Sequence, residues 1–293
     1  MTVALDITRE RLAERRADQL ISELQINDAD EIDIEAIAMS QNALVIDGGI
    51  RGAEARLARS RKLNFIRVNT GLAEPGRRRF AIAHELGHLL LQQSSQLALC
   101  SDKNLMPFYT NSSDELEASV FGATLLMPAK LFEPLCRPVS PSLEYVSELS
   151  ERFHVTLTAA ATRFMRFCPH RCCLVISTDG KVRYHRKTAD FGYFIAPRES
   201  LNPSTYAADI FKGDHVPQGM REVQATAWLT GRSIDSSKAI LEESISMPSY
   251  GSVLTLLWID KDIDRYITGE DEYDSEQEAS DSRWSWNRYR GRE

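Results

Sequence analysis

The stretch Gly76–Gln93, GRRRFAIAHELGHLLLQQ, constrains this chain more than any other part of it. Phe80, Ala83, Leu86 and Leu90 form the apolar side of a helix, and Pro75 suits its first turn, whereas Gly76 would be costly deeper inside. Residues four apart share one side of a helix, so His84 and His88 present their imidazoles from consecutive turns. Glu85 lies about 100° further round, where a carboxylate reaches water on a bound ion rather than the ion itself. Neutral imidazoles and carboxylates are zinc ligands, and a catalytic zinc site keeps one position for water. The ion lowers that water's pKa to about 7, which lets a neighbouring carboxylate act as general base. Gly87 costs such a helix about 1 kcal/mol, a cost understandable if another segment must approach there. By itself the HELGH pattern also fits two histidines on an ordinary amphipathic helix.

A third ligand is needed, and the next helix, expected over Asp114–Met127 and ended by Pro128, offers Glu115 and Glu117. Glu115 shares a stripe with Ala118, Ser119 and Gly122, while Glu117 shares its side with Val120, Phe121 and Thr124. A stripe of small residues permits close packing against the HELGH helix, and this favours Glu115. The expected site is therefore His84, His88 and Glu115 as ligands of one Zn²⁺ per chain, with Glu85 as catalytic base.

The rest of the chain bounds this reading. Its 293 residues, 43% apolar and 26% charged, suffice for a packed core, and a formal charge of −7 argues against a wholly basic nucleic-acid binder. The charged N-terminus and the absence of a long apolar run lead to the expectation of a cytoplasmic protein without a membrane span. Five cysteines make no disulfide framework. The cluster FCPHRCC, with Cys168, His170, Cys172 and Cys173, lacks the second ligand pair of a structural zinc site and reads as thiols at the start of a strand.

An α+β fold is expected. An N-terminal helix within residues 1–30, read over Thr8–Leu24, precedes a metallopeptidase domain over 31–170. Two β elements, Ala43–Ile46 and the KLNFIRVNTGL stretch, come before the HELGH helix. Residues 143–167 form two short helices broken near His154 and Val155, a helix-turn-helix-like segment. It lacks a concentrated basic face, so direct DNA binding is not expected. A smaller α/β or β-rich domain follows over 171–268, with a hairpin turning at Asp179-Gly180 and a strand over Ser252–Asp260. The carboxylate-rich segment 269–293 reads as a disordered tail. Arg77, Arg78 and Arg79, with Arg61 and Lys62, read by default as a solvated helix face, with guidance of an acidic substrate or support of an ion pair as the alternatives.

RRRFAIAHELGHLLL followed by DELEASVFGATLLMP resembles the ImmA/IrrE metallopeptidases, zincin-class enzymes, over roughly Ile34–Phe167. The resemblance implies His84, His88 and Glu115 as zinc ligands, Glu85 as base, and a helix-turn-helix transcriptional repressor as the substrate cut at a specific site. Such cuts release the genes of a mobile element or a stress response. The resemblance also implies a C-terminal domain that receives the signal. One departure is Ser119, where the family often has an Asn or Asp able to orient a ligand histidine. The competing expectation is a protein that sequesters a regulator without cutting it. No oxyanion-stabilising group is assigned among Tyr109, His154, His170, Tyr184 and His185.

Overall fold

A computed structural model describes residues 2–92, 113–137, 140–195, 199–230 and 234–261. The chain divides into two compact units, Met1–Val139 with Glu144–Phe167, and Ser140–Leu143 with the chain from Cys168 onward. Helices and sheets coexist in an α+β arrangement. No described helix is long and apolar enough to cross a membrane. Tyr109 and residues 269–293 lie outside the described residues.

The first unit begins with α1 (Thr2–Glu23), whose Ala13, Ala17, Leu20 and Ile21 are buried at the helical spacing read from the sequence. Helix α2 (Ile34–Ser40) starts where the Asp33 carboxylate accepts from the amides of Glu35 and Ala36. Three strands follow rather than two: β1 (Ala43–Gly48), β2 (Ala55–Ala58) and β3 (Asn64–Asn69). The sheet runs β1-β3-β2, with β1 parallel and β2 antiparallel to β3. The extra strand, ARLA, has four residues and little β propensity; its conformation comes from pairing with β3.

Helix α3 (Pro75–Leu91) carries HELGH, and α4 (Ser113–Leu126) lies against it. Two glycines permit this approach. A Cβ on Gly87 would stand 2.9 Å from Ala118 Cα, and one on Gly122 would stand 3.2 Å from the His84 nitrogen. Gly76 brings the start of α3 onto the chain at Val155 and Thr156, where an added Cβ would meet backbone atoms at 2.7 Å. These two residues lie in the turn between α6 (Leu143–Arg152) and α7 (Leu157–Phe167), preceded by His154 at φ +51. Helix α5 (Ala129–Cys136), absent from the sequence reading, links α4 to this pair.

The second unit is a five-stranded antiparallel sheet in the order β5-β4-β8-β7-β6. Its strands are β4 (Cys172–Thr178), β5 (Lys181–Lys187), β6 (Arg221–Gln224), β7 (Ala239–Met247) and β8 (Ser252–Trp258). Asp179 and Gly180, both at positive φ, make the two-residue turn between β4 and β5. Phe191, Ile195, Val223, Trp228 and Leu257 fill its core, which includes a residue of α8 (Tyr206–Lys212), Ala207. The Cys168 and Cys172 thiols lie 3.9 Å apart and the His170 ring packs against Trp258. This cluster gathers no ligand set of three among the described residues.

Candidate metal centre

Helix α3 buries His84, Glu85 and His88 to 1% exposure or less. Such burial of ionisable groups is costly unless they are paired, hydrogen-bonded or ligating. The Nε2 atoms of His84 and His88 face each other at 3.0 Å. Glu115 on α4 closes the triangle, with Oε2 3.2 Å from His84 Nε2 and Oε1 3.5 Å from His88 Nε2. Among the described residues these three are the group whose ligand atoms converge. Donors 2.0–2.2 Å from a tetrahedral centre stand about 3.3–3.6 Å from one another. Two imidazole nitrogens and a carboxylate at 3.0–3.5 Å stand at or slightly inside that spacing, so a divalent ion fits between them with a few tenths of an ångström of outward adjustment.

The electrostatics point the same way. Burial opposes ionisation of Glu115, but the hydrogen bonds and charges of His84 and His88 outweigh it and hold the carboxyl well below the usual carboxylate range. Burial likewise opposes a charged His88, yet Glu115, Glu85 and Gln92 together raise its pKa above the ordinary value. The pocket thus demands positive charge beside Glu115.

Glu117, the other sequence candidate, turns away: its Oε1 lies 2.5 Å from Arg9 Nε on α1. Glu85 sits beside the triangle and its Oε2 accepts from the Leu57 amide at 2.9 Å. Strand β2 has β3 on one side only, so Leu57 N–H belongs to the sheet's outer edge. Leu57 was not legible in sequence, because it contributes a backbone amide rather than a side chain. Arg59 was missed too. Its guanidinium donates to the carbonyls of His88 (2.5 Å) and Gln92 (2.7 Å), closing the C-terminus of α3 where no glycine does so.

Gln92 is a third residue that the sequence reading passed over. Its Oε1 lies 2.7 Å from His88 Nδ1 and its Nε2 donates to the Asp114 carbonyl at 2.8 Å. Ser119, the departure noted above, puts Oγ 3.3 Å from His84 Nδ1.

The arginines opening α3 are engaged within the fold, two of them in ion pairs. Arg77 pairs with the buried Glu54, and Arg78 with Glu35 (2.5 Å) and Asp47 (3.1 Å), while Arg79 donates to the Ile32 carbonyl at 2.8 Å. Two cations of the helix-turn-helix-like pair are likewise engaged by other segments. Arg163 Nε donates to the Met127 carbonyl at 3.0 Å, and Arg166 pairs with Glu14. Of the candidate oxyanion donors, the His154 imidazole lies by Asp30 at 3.3 Å, and His170, Tyr184 and His185 belong to the second unit.

Residues 47–165 match the family model Peptidase_M78, described as the IrrE N-terminal-like domain. No curated protein matches the sequence. Among solved structures, a Mycobacterium tuberculosis transcriptional regulator superposes with a TM-score of 0.54 over 84% of this chain and 86% of its own. At 16% identity that likeness is one of fold. The matched segment contains His84, Glu85, His88 and Glu115, so over this part of the chain the likeness to the IrrE N-terminal-like domain of Peptidase_M78 includes the converging residues.

Proposed function

We propose that this chain is a zinc-dependent endopeptidase with a zincin-type site, making site-specific cuts in a cytoplasmic regulatory protein. The proposed substrate is a helix-turn-helix transcriptional repressor. The observation carrying the proposal is the buried convergence of His84, His88 and Glu115, with Glu85 one residue along the same helix. His84 and His88 from α3 and Glu115 from α4 would hold the ion. When bound, the ion supplies Lewis acidity toward a peptide carbonyl and lowers the pKa of water at the site.

The remaining work belongs to the chain's own groups. Leu57 N–H holds Glu85 Oε2, which leaves Oε1 as the atom that takes the proton from the attacking water and delivers it to the departing amine. Gly87 and Gly122 keep α3 and α4 close enough for one ion to bridge them. Among the described residues Cys136, Cys168, Cys172 and Cys173 are buried and outside any disulfide, in keeping with a reducing compartment.

Wild type and Glu85→Ala, each assayed for zinc and then incubated with a helix-turn-helix repressor encoded beside this chain, test the proposal by mass spectrometry of the products. The expected result is zinc in both and a discrete cut by wild type alone. Zinc in both with equal repressor binding and no cut would replace the peptidase by a sequestering protein.

A further inference from the structure

We infer that Gln92 is a positioning residue for the metal: its carboxamide sets the His88 tautomer that ligates and ties that histidine to the main chain carrying Glu115. The inference rests on the metal reading above and extends it to a residue outside the ligand set.

The argument runs from the two ends of one amide. A carbonyl oxygen only accepts, so the 2.8 Å contact with the Asp114 carbonyl must be made by the Gln92 NH₂ group. That leaves Oε1 facing His88 Nδ1 at 2.7 Å, and Oε1 also only accepts. The proton of a neutral imidazole therefore sits on Nδ1, and Nε2 turns a lone pair toward His84 Nε2 and Glu115 Oε1. The other tautomer would set two lone pairs against each other at 2.7 Å and point an N–H at the place of the ion.

The backbone of Gln92 is itself fixed. Its N–H donates to the His88 carbonyl at 3.3 Å, and its carbonyl accepts from Arg59 Nη2 at 2.7 Å. The side chain therefore starts from an anchored Cα and spans from α3 to Asp114, the residue before Glu115. By contrast, His84 Nδ1 has Ser119 Oγ at 3.3 Å, a longer contact with a hydroxyl that can donate as well as accept. Partners of this kind typically change metal affinity 10- to 100-fold.

Two variants of the full-length chain separate the parts. Gln92→Met removes donor and acceptor at similar length, and Gln92→Glu keeps the acceptor while giving up the donor to Asp114. Zinc affinity, measured by competition with a chelator, should fall roughly 10- to 100-fold in Gln92→Met and largely recover in Gln92→Glu. In metal-free protein, at a pH high enough for the His88 ring to be neutral, ¹⁵N NMR should show Nδ1–H in wild type and a shift toward Nε2–H in Gln92→Met. Unchanged zinc affinity or an unchanged His88 tautomer in Gln92→Met would overturn the inference. Failure of wild type to take up zinc would overturn the metal reading instead, while the NMR comparison would still decide whether Gln92 sets the tautomer.

Discussion

Two buried carboxylates, one in each unit, show what separates a structural charge from a candidate site. Glu242 on β7 is fully buried and ringed by donors. It accepts from the Ala207 amide (2.8 Å), Trp228 Nε1–H (2.7 Å) and the Ser244 hydroxyl (2.8 Å). Glu115 is almost as buried, but it meets two imidazole nitrogens. Burial raises the pKa of Glu242 despite its hydrogen bonds, whereas the histidines bring Glu115 well below the usual carboxylate range. Glu242 is closed by the protein's own donors, which pin α8 and Trp228 to the sheet. Glu115 instead meets two imidazole nitrogens, and its charge is balanced by positive charge, on those rings or on an ion between them.

The largest expected effect sharpens that contrast at the chemical step. Glu85→Gln should lower cleavage by about 100- to 10,000-fold with metal content unchanged, measured in single-turnover assays. Saturating zinc, next, should stabilise the first unit by about 4 kcal/mol at 1,000 times Kd. Hydrogen exchange should then show added protection in α3 and α4, with none in β4 and β5. Equal protection of the β4–β5 hairpin would break the comparison.

Glu242→Ala should destabilise the second unit on the order of 3 kcal/mol, because it strands several buried donors. Denaturant titration with a metal assay checks this, and the prediction is lost stability with zinc retained. Gly87→Ala should cost about 1–3 kcal/mol by forcing α3 and α4 apart, and should weaken zinc binding as well.

The last effect concerns pH and falls in the second unit. Burial and, secondarily, Lys187 push the pKa of His185 down to about 4. The unfolded chain then binds the extra proton between its ordinary pKa of about 6.5 and that value, so stability falls with acidification across this window. The contribution is complete above about pH 6.5 and its slope is at most about 1.4 kcal/mol per pH unit. In His185→Gln that part of the pH dependence of unfolding should vanish.

Much of the site was legible because its determinants are local. Histidines four apart, Pro75 in the first turn and the Ala118-Ser119-Gly122 stripe all follow from helical geometry, as does the preference for Glu115 over Glu117. What escaped depends on contacts between distant segments. Strand β2 is too short to announce itself and exists through β3; Leu57 acts through its amide; Arg59 and Gln92 look like ordinary surface residues until α3 ends between them. The sequence favoured a solvated face for Arg77–Arg79, and what it did not show is the partners that distant segments bring to them, Glu54, Glu35, Asp47 and the Ile32 carbonyl.

The most direct test of the central claim is the metal content of wild type, Glu115→Gln and Glu117→Gln, purified alike and read by elemental analysis. Close to one zinc per chain in wild type and Glu117→Gln, with zinc lost from Glu115→Gln, is the predicted result. Zinc retained by Glu115→Gln and lost from Glu117→Gln would contradict the assignment of the third ligand, and a metal-free wild type would contradict the centre itself.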